Sequence, residues 1–389
     1  MVFFSLAKKV FAVNLLLQNC FLQTTKNVFV KNLDFWLTFG IIIYTKESVH
    51  MKSYTLQKPK KLVLETLPSQ AITSKEFVKV KIDLAAITTT DLKIFSGKYK
   101  VPTPITLGRQ AVGVISEVMP DNVNFLQKGD RVIIEGFLPC GECYFCKMGE
   151  KQKCENMHML GYSTEGVFSD FTIVHQSLLH PIPDQMPDTT AIFAEYVSMA
   201  LNIVDKLNLK PGDHVAIMGA SKLGYVLAQL VTYYQGIAIA IDDNADQLEK
   251  LAGENINYTQ NTTKANWKDN ISGITGGRMC EKVVFLTESK LHFNDAIDLC
   301  GKNGTICLAG FLPTYEKCDL TKLHRRQISM VSVRNSQGNF PAAINMLATK
   351  KVNVKGMVTE TFRFAELPEK LMAMTPDETK YTSIQFRID

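Results

Sequence analysis

The sequence predicts an α/β protein in which a compact β domain is followed by a doubly wound parallel sheet. Three observations predict it. Short strand-like runs separated by Gly and Pro fill the first part of the chain. A strand, glycine turn, helix and strand follow one another from His214, and further apolar strand runs recur beyond them. The first pattern suits a β domain, and the second and third suit parallel strands with helices on both faces.

Each element has its own signal. Residues 77–85 read FVKVKIDLA, with β-branched and polar residues alternating, and residues 111–118 and 131–134 are further short strands. A linker runs through Pro181, Pro183 and Pro187. Residues 214–218 form a short buried-strand run, 219–224 a turn, 225–234 a stretch of helical apolar spacing, and 237–241 a second apolar strand. Together these make a βαβ unit. Strand runs at 282–286 and 305–309 extend the sheet.

Composition narrows the function classes. With 389 residues, 46% hydrophobic and 21% charged, the chain can fill two domain cores. The net charge of +5 is small, and no basic run is interleaved with aromatics, which argues against nucleic acid as a partner. Residues 1–50 differ from the rest: they are rich in Phe, Leu, Val and Ile, and Asp34 and Glu47 are their only acids. The apolar run 35–44 is shorter than the roughly 20 residues that span a bilayer. No small-residue cleavage site follows the apolar run 10–17. The reading favours a start-site extension over a targeting segment, no membrane partner, and a cytoplasmic location.

Nine cysteines are present, four of them within residues 140–154. An odd count with one tight cluster fits a metal site in a reducing compartment better than a disulfide framework. The cluster reads CGECYFCKMGEKQKC, spaced C-x2-C-x2-C-x7-C. Four thiolates on one loop can wrap a tetrahedral zinc ion. A ferredoxin-type iron–sulfur run would place its fourth cysteine three residues on, followed by proline. Here the gap is seven and Glu155 follows, so zinc is preferred, held by Cys140, Cys143, Cys146 and Cys154. Four protein ligands leave no open position, so this zinc is expected to be structural.

Residues 219–224 read GASKLG, close to the G-x-G-x-x-G dinucleotide turn but with Ser221 at its second glycine. Gly219, Ser221, Lys222, Leu223 and Gly224 are the candidate cofactor residues on this turn. The first-turn amides of the following helix would receive the pyrophosphate. Asp242, eighteen residues beyond Gly224, is placed to accept hydrogen bonds from both ribose hydroxyls and to repel a 2′-phosphate. It favours NAD(H) over NADP(H).

With these motifs in order, the chain from Met51 to Asp389 resembles the zinc-containing medium-chain dehydrogenases, especially their polyol and threonine dehydrogenase branch. The resemblance rests on GDRVIIEGFLPCGEC, LGYSTEGVFSDF, KPGDHVAIMGASKLG, GGRMCEKVVF, KNGTICLAG and KVNVKGMVTETFRFAELPEK, in that sequence along the chain. It implies a GroES-like β domain plus a Rossmann doubly wound parallel sheet, with a small-molecule substrate between them and homodimers or homotetramers. The expected domains are 1–50 (atypical extension), 51–185 (GroES-like, with the zinc lobe), 186–335 (Rossmann) and 336–389 (a return to the first domain).

In this family a second zinc does the chemistry, held by a cysteine in a C-G-[ST]-D-x-H segment and by the His-Glu of G-H-E. Here those segments read TTTDLK and GRQ: Thr88 replaces the cysteine, Lys93 the histidine of the first segment, Arg109 the second histidine and Gln110 the glutamate. An acid of the later segment survives as Glu195. Thr, Arg and Gln make a poor zinc site. The loss is large in energy: zinc lowers the pKa of bound water from about 15.7 to about 7, a bias of about 12 kcal/mol toward the anion.

Two readings of Arg109 and Lys93 stay open. In one, they supply the positive charge that stabilises an alkoxide or enolate, with Thr90 at the family's hydroxyl-relay position. In the other, Arg109 pairs with Glu195 as a structural plug and Lys93 is simply solvated. Thr88 and Thr89 are expected to be packing and backbone groups. His158 and His175 lack a spaced partner. Cys280, Cys300, Cys307 and Cys318 lack ligand spacing, and Cys300 and Cys307 are expected in the core. The chain is thus expected to be a nicotinamide-dependent oxidoreductase using Thr90, Lys93, Arg109 and Glu195, or else a non-catalytic dinucleotide-binding protein such as a redox sensor. Elemental analysis of the purified chain should find one zinc per chain; two would overturn the reading of the second site.

Overall fold

The computed structural model describes residues 50–389 apart from 69, 123–124, 287–290, 310–316, 337, 359, 375–383 and 389. The expectation for the first fifty residues lies outside them, His50 excepted.

The β domain is built around the long strand Phe77–Ile87. It pairs antiparallel with Gln110–Glu117, with Ile384–Arg387 and with Phe171–His175. The main sheet runs in the order Leu179–Pro181, Arg131–Ile134, Gln110–Glu117, Phe77–Ile87, Ile384–Arg387, Glu360–Arg363. Its last two strands come from the C-terminal part of the chain. A smaller sheet of Lys61–Pro68, His50–Lys58 and Ile105–Thr106 lies alongside in sequence. Residues 84–87 are buried without alternation, as expected of strand ends covered on both faces.

The second sheet is six-stranded and wholly parallel. Its order is Tyr258–Asn261, Ile237–Asp242, His214–Met218, Cys280–Leu286, Cys300–Ala309, Ser329–Val333. The winding reverses on either side of His214–Met218. The crevice for a ligand therefore opens beyond the carboxyl ends of that strand and Cys280–Leu286.

The strand runs read from the sequence at 131–134 and 214–218 coincide with observed strands, and 237–241 is one residue short. The helix expected from 225 begins three residues earlier, as Lys222–Tyr233. The glycine turn feeds it directly, so the turn's last residues are already helical. Cys280, Cys300 and Cys307 are fully buried, and burial pushes each thiol up to about 12. Cys318 is exposed. Among the described residues no helix is long and apolar enough to cross a membrane.

One apolar cluster joins the two sheets. It runs from Leu84, Val112 and Ile133 of the β domain, through Val197, Ala200, Leu201 and Val204 of the helix Ala194–Leu207, to Val215, Ile217 and Val284 of the parallel sheet. The helix presents those residues at i, i+3, i+4 and i+7, one continuous stripe. It stops at Asn208, which takes the left-handed backbone (φ 47°) that Asn tolerates. A second cluster around Ile82, Phe168 and Phe386 fills the β domain, and a third backs the parallel sheet at Met218, Ile241 and Phe285.

Gly224 shows how tightly the turn meets its helix. A Cβ there would sit 1.8 Å from the Gly219 carbonyl oxygen, so helix and strand approach only because no side chain intervenes. Gly224→Ala should lower stability by about 1–3 kcal/mol as the backbone shifts. This would be read as a fall in the urea unfolding midpoint; an unchanged midpoint would show that the contact is dispensable.

Candidate active site

A cleft lies between the β domain and the carboxyl ends of the parallel strands. From the first side it is lined by Thr88, Thr89, Thr90, Lys93, Arg109 and Phe137. Glu195, Tyr196 and Met199 of the helix Ala194–Leu207 and Leu223, Leu286, Ala309 and Arg334 complete it. Thr90, Lys93, Arg109 and Glu195, separated by up to 105 positions in sequence, are therefore gathered in one place.

Local structure explains each position. Thr88 caps the short helix Thr89–Phe95: its hydroxyl donates to Asp91 Oδ2 (2.6 Å), its backbone N–H donates to the same oxygen (2.8 Å), and Asp91 N–H donates back to Thr88 Oγ1 (3.3 Å). This reciprocal cap satisfies helix-end groups that would otherwise be unpaired. Thr88 is thus more than the packing group the sequence suggested. Asp91 is buried, and burial pushes its carboxyl above the ordinary range. The Thr88 hydrogen bonds and the charges of Arg109 and Lys222 pull it back down.

Arg109 is aimed by the backbone before it. Gly108 holds φ at +93°, and a Cβ there would meet the Phe168 ring at 2.2 Å. The strand Gln110–Glu117 starts immediately after. The Arg109 guanidinium bonds Glu195 Oε1 at 2.7 Å, sits 5.4 Å from the Phe137 ring centroid and lies 3.6 Å from Met159 Sδ. Glu195 stands in the first turn of its helix, where the helix dipole favours a carboxylate. Its Oε2 and the Gln110 Nε2 are buried without a hydrogen-bond partner. Lys93 is half-buried, with Nζ 5.5 Å from the Tyr99 ring centroid rather than fully in solvent.

The dinucleotide turn lies on the far wall. Gly219 has φ 115°, Ser221 begins the helix without a side-chain cap bond, and Leu223 reaches the cleft. Lys222 is buried, and its charge helps to hold the Asp91 carboxyl down. Asp242 ends its strand beside the turn, but its oxygens are already engaged: Oδ2 accepts Ala220 N–H at 2.7 Å and Oδ1 accepts Asn244 N–H at 2.9 Å. A carboxylate has about four acceptor positions, so these bonds brace the turn and leave others for a ligand.

Cys140, Cys143, Cys146 and Cys154 place their sulfurs within 4.8 Å of one another. A tetrahedral zinc with Zn–S of about 2.3 Å needs sulfurs about 3.8 Å apart. The cage therefore fits the ion after small adjustments. Among the described residues it is the one group of His, Cys, Asp or Glu gathered closely enough to hold a metal, and none of its members lines the cleft. His158 is exposed, and His175 is bonded to Ser177 Oγ at 2.8 Å.

Sequence reasoning missed Asp91, Tyr196, Met199 and Arg334. The Thr-x-x-Asp spacing of a helix cap would have found the first. Arg334 follows the last parallel strand, a place visible only once the strand order is known.

Comparison with known proteins agrees with this architecture. Residues 74–184 match the alcohol dehydrogenase GroES-like domain and residues 223–349 the zinc-binding dehydrogenase domain. An uncharacterized zinc-type alcohol dehydrogenase-like protein of Haemophilus influenzae is 27% identical over 335 residues, 86% of this chain and 98% of its own length. A sorbitol dehydrogenase of Halalkalibacterium halodurans is 28% identical over 309 residues, 78% of this chain and 90% of its own. A short chain alcohol dehydrogenase of Escherichia coli CFT073, solved in complex with NADH, shares the fold with a TM-score of 0.78 at 23% identity, over 87% of this chain and 99% of its own. Taken with the two-sheet architecture and the cysteine cage, these matches establish that the chain belongs to the alcohol dehydrogenase-like medium-chain dehydrogenases/reductases, a family of oxidoreductases.

Proposed function

We propose that this chain moves a hydride between a nicotinamide cofactor and a small alcohol, polyol or carbonyl substrate in the cleft, without a metal ion at the reacting centre. One observation carries the reading: Arg109, which the resemblance aligns with a zinc ligand as it does Thr88 and Gln110, is bonded to Glu195 at 2.7 Å. A guanidinium, an amide and a neutral hydroxyl grip zinc poorly.

NAD(H), when bound, supplies or accepts the hydride. The glycine turn and the uncapped start of Lys222–Tyr233 fit its pyrophosphate, and the Asp242 carboxylate supports NAD(H) over NADP(H) by repelling a 2′-phosphate. The chain's own groups do the rest. Arg109 stabilises negative charge developing on the substrate oxygen. Thr90 lines the cleft at the relay position. Thr88, donating to Asp91 at 2.6 Å, keeps lone-pair density on its oxygen to receive a substrate hydroxyl proton as its own passes to Asp91. Burial raises the basicity of that carboxylate. The cysteine cage holds a structural zinc that pins residues 140–154. Cysteines clustered as metal ligands rather than paired in disulfides support a reducing compartment, the cytoplasm.

The Arg109–Glu195 bond also favours a second reading, in which the pair plugs a former active site and the protein binds a dinucleotide without turnover. Both readings expect NADH to bind, measured by fluorescence titration. Turnover separates them: the enzyme reading expects an absorbance change near 340 nm with some member of a carbonyl and polyol panel, and silence across the panel would leave the second reading.

Two substitutions test the pair itself. Glu195→Gln strands a buried guanidinium and should cost about 3–5 kcal/mol of stability. Replacing both partners by Met should restore most of that loss, because no buried charge is left alone. The double variant should nevertheless lose about a hundredfold or more in kcat. Unchanged kcat would remove Arg109 from the chemistry.

A further inference from the structure

Four charged side chains are buried together under the cleft: Asp91, Arg109, Glu195 and Lys222, each at most 8% exposed. Arg109 is bonded to Glu195, and Arg109 and Lys222 both act on Asp91. Two cations answer two carboxylates, so the cluster is balanced internally.

The cleft carries two more cations, Lys93 and Arg334. Glu195, already engaged, is the one acid among the described residues that line it. Lys93 lies on the helix Thr89–Phe95 of the β domain, next to Thr88 and Thr90. Arg334 follows the strand Ser329–Val333 at the carboxyl edge of the parallel sheet. Within the described residues neither has a carboxylate partner; Lys93 rests on the Tyr99 ring, and Arg334 is exposed. Phe137, Met199, Leu223 and Leu286 supply apolar lining of the same cleft.

This arrangement sets a preference. Apolar walls concentrate the field of the two uncompensated cations inside the cleft. A neutral polyol closing over them would strip water from two charges and return nothing for it. An anion would restore the balance and receive charge-assisted hydrogen bonds.

We propose that the substrate carries an anionic group, a carboxylate or a phosphate, beside its reacting alcohol or carbonyl, and that Lys93 with Arg334 binds that group. The inference rests on the oxidoreductase reading and gives its substrate class. Lys93 is the closer of the two in sequence to the groups assigned to proton transfer, and Arg334 directly follows the last parallel strand.

The test uses the full-length, zinc-loaded chain. NADH is titrated first by fluorescence; failure to bind would sink the oxidoreductase reading itself, apart from this proposal. The NADH-saturated protein, whose cofactor phosphate site is filled, is then titrated calorimetrically with malonate, inorganic phosphate and glycerol. The expected result is that malonate or phosphate binds about tenfold to a hundredfold more tightly than glycerol, as a charge-assisted contact requires. Which of the two wins distinguishes a carboxylate from a phosphate substrate. Lys93→Met and Arg334→Met should each weaken the anion about tenfold. Lys93→Arg should retain it, which separates lost charge from misfolding. Equal binding of anions and glycerol would overturn the proposal, as would full anion affinity in Lys93→Met. If Arg334→Met weakens NADH and leaves the anion untouched, Arg334 belongs to the cofactor and its part of the proposal falls.

Discussion

The Arg109–Glu195 ion pair governs the cleft. It joins the β domain to the first turn of the helix that leads into the parallel sheet. Both partners are buried, and a buried pair persists only where neighbouring groups help to offset desolvation. Here the helix dipole supports Glu195, while the Phe137 face and the Asp91 charge support Arg109. The chemistry assigned to the cleft follows from what that pair leaves over: a guanidinium with donors to spare, an unbonded Glu195 oxygen and the Thr88–Asp91 dyad.

Much of the fold was legible because strands and turns leave local signatures. Period-two alternation marked 77–85, and a glycine turn followed by helical spacing marked the βαβ unit at 214–241. Boundaries were less legible where a turn merges with its helix, as at Lys222. The C-terminal strand Ile384–Arg387 joins the first sheet by long-range pairing with residues 84–87, and Glu360–Arg363 pairs with its other edge, which no local pattern encodes.

The site was half legible for the same reason. Residue types at 88, 93, 109, 110 and 195 pointed to one place only through family resemblance; nothing in their spacing says that they meet. Asp91 carried a local signal, since Thr-x-x-Asp is a cap. Its link to Lys222 crosses from one domain to the other and has no counterpart in the linear chain. Asp242 shows a second limit of the linear chain. Its position suggested a group waiting for ribose, whereas in the fold it first braces the turn that precedes the helix. A residue can serve architecture and recognition at once, and sequence displays only the position.

The shared apolar cluster, from Leu84 through the helix Ala194–Leu207 to Val284, has a bearing on motion. Two bodies joined by a thin linker would swing apart about a hinge. Two bodies fused through a common hydrophobic seam cannot separate without exposing that seam to water, at roughly 25 cal/mol for each Å² uncovered. Any widening of the cleft that parts these side chains therefore carries a cost that grows with the apolar area it uncovers.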